Sequence, residues 1–176
     1  EAIAAGVTRL VLVSGIGADP DSSSPYIRAR GRGELMVQQA FPGATIVRPG
    51  AMFGPGDALF GTLAELARLL PVLPLIGGGR TRLQPVCVED VAEAITSILS
   101  DPGTVGQTYE LAGPRVYTLH ELVSMTLQLL GKRRLLLASR RGYSNSCLTH
   151  RSPPVRLTFS RRTMCPAASC QVSKTS

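Results

Sequence analysis

Acidic residues are missing from the last 39 positions, and the first 137 contain a single cysteine, Cys87. One cysteine excludes a disulfide framework for that stretch. It suits a reducing compartment, where a thiol within "PVCVED" reads as a buried packing residue. The missing acids locate the charge. Residues 1–137 carry all twelve Asp/Glu and twelve of the nineteen Lys/Arg and are neutral, so the seven basic residues of 138–176 make the net +7. A charge confined to one tail is not the footprint of a nucleic-acid-binding domain, and no nucleic-acid partner is expected.

No apolar run approaches the ~18 residues of a membrane span. No basic segment precedes an apolar one at the start, as a signal peptide requires. Cys147, Cys165, Cys170 and His150 do not have zinc-site spacing, so no metal is expected. There is no internal repeat. A glycine-rich turn that opens a helix and holds a pyrophosphate is missing too: in "GIGADPD", Gly15-x-Gly17 runs into acid and proline. The opening "EAIAAGVTRLVLVSG" reads as a helix end running into a strand, so the chain is expected to be a fragment.

What is present alternates between strand and helix patterns. "RLVLVSG" (9–15) and "ATIVRPG" (44–50) are short apolar runs stopped by glycine, as in strands buried on both faces. Helices are predicted over 26–40 and 58–70, and "PVCVEDVAEAITSILSD" reads as a strand followed by a helix, whose Glu89 and Asp90 suit the positive end of a helix dipole. "GQTYELAGP" gives a further strand. "YTLHELVSMTLQLLG" gives a helix with Thr118 and Glu121 in capping-box spacing. "PVLPLIGGGRTRLQ" reads as a connector. This alternation predicts an α/β fold with a largely parallel sheet. From about residue 138 the periodicity stops. Residues 138–176 are set apart as a basic Ser/Arg-rich tail, either disordered or out-of-frame.

"SPYIRARGRGE" places Tyr26 and Arg30 four residues apart, on one helical face, where a cation can touch a phenol. A phenol needs such a cation to exchange protons near neutral pH. Four stretches follow in order: "LVLVSGIGAD", "YIRARGRGE", "IVRPGAMFGPGD" and "LQPVCVEDVAEAI". Together they resemble the second half of an extended short-chain dehydrogenase/reductase of the atypical branch, within the NAD-dependent epimerase/dehydratase superfamily. The resemblance is nearest to the group formed by the short-chain-dehydrogenase-like accessory subunit of respiratory complex I and its bacterial relatives, and it covers residues 1–137.

The resemblance implies an incomplete Rossmann-like, doubly wound parallel sheet lacking its N-terminal βαβ units, with NAD or NADP as the cofactor of the intact parent. It implies complex I subunits as partners. The setting would be cytoplasmic or peripheral to the inner membrane in a bacterium, and the matrix side in a mitochondrion. In that family a Tyr-x-x-x-Lys pair and an upstream serine do the chemistry. Here Tyr26 matches, Arg30 stands where the lysine would be, and Ser14 is the nearest serine. An arginine keeps the charge but presents a planar fork instead of a compact ammonium. The same resemblance makes Ser14, Gly15, Tyr26, Arg30, Pro49, Gly50, Met52 and Phe53 the cofactor-side residues. Three functions stay open: a weakly catalytic or non-catalytic accessory protein, an active oxidoreductase or epimerase with Tyr26 as general acid/base, and, least favoured, nucleic-acid binding through the basic tail of 138–176. The isolated chain is not expected to be active.

Overall fold

The computed structural model describes residues 4–139 and 171–175. In chain order the elements are β1 (Val11–Val13), α1 (Pro25–Ala40), β2 (Thr45–Pro49), β3 (Met52–Phe53), α2 (Ala58–Leu69), β4 (Val72–Ile76), β5 (Arg82–Leu83), β6 (Val86–Cys87), α3 (Val88–Ser100), β7 (Thr108–Ala112), β8 (Tyr117–Thr118), α4 (Leu119–Leu129), β9 (Leu135–Ser139) and β10 (Gln171–Thr175). Short 3₁₀ turns lie at Gly77–Gly79 and Pro102–Thr104.

The main sheet has the order β1-β2-β7-β10. β1 lies parallel to β2 with Val13 beside Val47, and β2 lies parallel to β7 with Arg48 beside Glu110. β10 runs antiparallel along the outer side of β7. The fold is therefore α/β with a partial, largely parallel sheet. Successive strand residues point to opposite faces, and the two faces differ. Val47, Tyr109 and Leu111 meet Val91, Ala94 and Ile98 of α3 in a buried apolar cluster. Burying a side chain such as Ile98 or Leu111 is worth about 1.5–3 kcal/mol. Arg48 and Glu110 face the other way, toward Glu34 of α1. Helices on both faces make the sheet doubly wound.

The helix starts follow from the sequence. Pro25 occupies the first turn of α1, where its missing N–H costs nothing. Asp57 caps α2 by accepting from the Phe60 amide at 2.6 Å. Thr118 and Glu121 form the expected reciprocal box on α4: the Glu121 amide donates to Thr118 Oγ1 at 3.1 Å, and the Thr118 amide donates to Glu121 Oε2 at 2.6 Å. Arg9, just before β1, donates to the Ile98 carbonyl at 2.6 Å and to Thr104 Oγ1 at 2.7 Å, so a cation closes the carboxyl end of α3.

Among the described residues there are also three two-stranded ribbons: β3 with β6, β5 with β8, and β4 with β9. The segment read as a connector thus contains two strands. β4 has alternating burial, with Leu73 and Leu75 inside and Val72, Pro74 and Ile76 outside. Two prolines and three glycines hid that period. β9 packs its Leu136 against a second cluster, formed by Ala67, Leu73, Leu75, Val123 and Leu127. Cys87 is buried as a free thiol. The reading of 138–176 as one irregular tail falls outside the described residues for 140–170 and 176. Within that span, 138–139 complete β9 and 171–175 form β10.

Candidate functional site

The carboxyl ends of β1 and β2 lie side by side, where an open α/β sheet leaves a crevice for ligands. The parallel ladder continues past β1: the Ser14 amide donates to the Val47 carbonyl at 2.7 Å, and the Ile16 amide donates to the Pro49 carbonyl at 3.2 Å. Ser14, Gly15 and Pro49 are thereby held together by backbone. The Ser14 hydroxyl is buried and has no hydrogen-bond partner. Such an orphan is uncommon in a folded interior and calls for a ligand group or a water.

α1 brings its first turns over this end. Arg30 Nη2 donates to the Tyr26 hydroxyl at 2.5 Å, and the guanidinium carbon sits 4.8 Å from the centre of the Tyr26 ring. Gly15 is buried beneath the arginine, and a methyl group added there would overlap Arg30 Nη1. The glycine therefore lets the cation lie flat on the β1 loop. Tyr26 itself is 64 % exposed. The structure brings Ser14, Gly15, Tyr26 and Arg30 into one locus.

Gly50 adjoins that locus. Its amide donates to the Leu111 carbonyl at 2.8 Å, and a Cβ there would lie 2.8 Å from the Gln84 carbonyl oxygen and 3.6 Å from Ile16 Cδ1. Met52 and Phe53 lie further along, paired with Val86 and Cys87. Phe53 turns its ring edge-on to Phe60, with centroids 6.1 Å apart, while Met52 is exposed.

One group was missed from sequence. Glu34, eight residues after Tyr26 on the same stripe of α1, is buried and takes a bidentate ion pair from Arg48, at 3.0 Å from Nε and 2.6 Å from Nη2. Glu110 approaches the same guanidinium at 3.7 Å. The hydrogen bonds that Arg48 donates to Glu34 raise the Arg48 pKa above its ordinary value, against the opposing effect of burial. The signal was available in "TIVRP": an arginine inside an otherwise buried strand requires a buried acid opposite it.

These residues fit one end of a dinucleotide. The unpartnered Ser14 hydroxyl, the Tyr26 phenol and the Arg30 fork suit a hydroxyl-rich, uncharged group such as a nicotinamide ribose. The described residues contain no glycine-rich turn opening a helix that would hold a pyrophosphate.

The fold is that of the NAD-dependent epimerases and dehydratases. The dTDP-glucose 4,6-dehydratase DesIV of Streptomyces venezuelae, solved with NAD and TYD bound, superposes with a TM-score of 0.66 at 25% identity, over 81% of this chain and 51% of that one. No protein-family profile matches the chain. Its sequence is 43% identical over 126 residues to the mitochondrial NADH dehydrogenase [ubiquinone] 1 alpha subcomplex subunit 9 of Arabidopsis thaliana, covering 71% of this chain and 31% of that protein. It is 34% identical over 139 residues to the ceramide reductase of Caulobacter vibrioides, covering 78% of this chain and 43% of that protein. The chain thus spans about a third of the length of its plant relative. In fold the chain is similar to the NAD-dependent dehydratases and epimerases. More narrowly, it is a homologue of the alpha-subcomplex accessory subunits of mitochondrial NADH dehydrogenase.

Proposed function

We propose that the chain is part of a nicotinamide-dinucleotide-binding accessory protein of respiratory complex I, one that holds the nucleotide without turning it over at an appreciable rate. The Tyr26–Arg30 contact carries this reading. A proton-handling tyrosine works through a cation that touches the phenol and still reaches the cofactor. Arg30 instead lies folded onto its own helix partner, stacked on the ring and bonded to the hydroxyl, over Gly15. One arm of its fork, Nη2, is spent on the phenol within the chain. The likeness to a complex I subunit supports the same choice.

In this reading Ser14, Gly15, Tyr26 and Arg30 face the nicotinamide ribose, and Pro49 and Gly50 form the adjoining wall. Met52 and Phe53 lie on the substrate side. A bound nicotinamide dinucleotide would supply hydride chemistry. The residues present would orient the ribose and exclude water from the β1–β2 crevice. Among the described residues no helix is long and apolar enough to cross a membrane. A peripheral position at the inner membrane, on the matrix side in a mitochondrion, accords with that.

The test is blue-native electrophoresis of detergent-solubilised membranes from the source cells, probed with an antibody to this chain. Comigration with complex I is the expected result, and migration only as free protein would overturn the proposal. A second reading, an active reductase, draws on the orphaned Ser14 hydroxyl beside Tyr26 and on the likeness to a ceramide reductase. NAD(P)H turnover abolished by Tyr26→Phe would favour that reading. Turnover unaltered by the substitution would remove it.

A further inference from the structure

Among the described residues, the β4–β9 ribbon buries one face and leaves the other exposed. Leu73, Leu75 and Leu136 pack inward against α2 and α4. The parallel register sets Val72 beside Leu135 and Pro74 beside Leu137, and these side chains, with Ile76, occupy the outward face. Ile76 is 55 % exposed, Leu137 60 % and Leu135 65 %. Single exposed leucines are ordinary, but five contiguous apolar side chains on a two-stranded face are not.

One end of this face is basic. The α2–β4 and α4–β9 connections run side by side, tied by Arg134 Nε donating to the Ala67 carbonyl at 2.9 Å and by the Leu135 amide donating to the Pro71 carbonyl at 3.3 Å. Leu69 and Leu129 stand almost fully exposed at this end, and Arg68, Lys132 and Arg133 are exposed beside them. No acidic residue occurs in 66–88 or in 122–139.

We propose that this face docks on a phospholipid bilayer surface bearing negative charge. The chemistry favours lipid over protein. The centre of a protein–protein interface is enriched in aromatic residues, methionine and arginine and depleted of lysine. This face is aliphatic throughout, with its cations gathered at the margin. Leucines can enter the acyl boundary while lysine and arginine extend to the phosphates. The inference goes beyond the proposed function and stands without it, because it uses none of the nucleotide-side residues.

Vesicle flotation with the full 176-residue protein tests it, since aggregated protein stays at the bottom of the gradient and bound protein rises. The protein should float with phosphatidylcholine vesicles containing about 30 mol % phosphatidylserine, and far less with phosphatidylcholine alone. Lys132→Gln/Arg133→Gln should weaken the partition roughly thirtyfold, at about one decade or less per cation. Leu135→Gln/Leu137→Gln should weaken it at least about tenfold. Val72→Gln/Ile76→Gln serves as the apolar test if the first pair alters the far-ultraviolet circular dichroism. Equal flotation on both vesicle types, no flotation on either, or unchanged flotation of the apolar variants would overturn the proposal. So would concentration-dependent self-association, by sedimentation, that is abolished by the same leucine substitutions without any vesicle binding. That result would make a second copy the occupant.

Discussion

Asp90 sits in the first turn of α3, where a helix dipole favours negative charge. Yet its Oδ2 is buried without a partner. Burial is the main cause of its raised pKa, and the neighbouring carboxylates Glu93 and Glu89 push it the same way. A carboxyl whose folded pKa lies above its unfolded value contributes stability that is full below the unfolded pKa, then lost as pH rises through the folded one. The melting temperature of Asp90→Asn, measured relative to the parent, should therefore climb between pH 3 and pH 7. A difference that is flat with pH would mean that the dipole offsets the burial completely. Glu121 runs the other way. Hydrogen bonds from the backbone and hydroxyl of Thr118 lower its pKa, so its contribution to the α4 cap is present above the ordinary glutamate range and fades as acid is added. At this scale the sequence was readable wherever spacing carried the signal, as with the Thr118–Glu121 box and the Tyr26–Arg30 pair. It was silent on the Ser14 hydroxyl, because a missing partner is a property of the packed interior.

α1 is attached to the sheet by charge. Glu34 reaches Arg48 of β2, and Arg48 stands beside Glu110 of β7, so one cation serves two acids across three elements. Removing the cation would leave both carboxylates without it. Breaking a buried pair in this way costs about 3–5 kcal/mol. Arg48→Met should therefore lower the stability measured by urea unfolding by about that amount, and a loss below about 1 kcal/mol would show the pair to be solvated. The helix is also pressed against the loop after β1. Gly31 is buried, and a Cβ there would come within 2.3 Å of the Pro20 nitrogen, a backbone atom that cannot swing aside. The four helices were legible because each has a long period and a marked start. β1 and β2 were legible as apolar runs, and β7 as the strand in "GQTYELAGP". Of the ribbon strands only β6 was, as the strand that opens "PVCVEDVAEAITSILSD"; β3, β4, β5, β8 and β9 were not. Two-residue strands such as β3 and β5 fall below any period, and β9 runs up to the point, about residue 138, where the regular pattern stops.

Over the whole molecule, the sheet has two differently treated edges. β1 is an edge strand with Val13 48 % exposed. The far side of β7 is covered by β10, in register from Gln171 beside Ala112 to Thr175 beside Thr108. In an antiparallel pair, alternate residues turn their amides toward the neighbour, so prolines at two consecutive positions must remove a ladder bond. Val172→Pro/Ser173→Pro should therefore bare β7 and raise the rate of light-scattering growth at 37 °C several-fold, by roughly the hazard an open edge brings. An unchanged rate would mean that the β7 edge is protected by other means. The pairing also bears on the order of events in synthesis. About sixty residues separate Ala112 from the strand that covers it, a long closure to complete after the rest of the sheet can form. While the ribosome makes that stretch, β7 emerges with one side open, and in that interval a chaperone or a neighbouring nascent chain would find it.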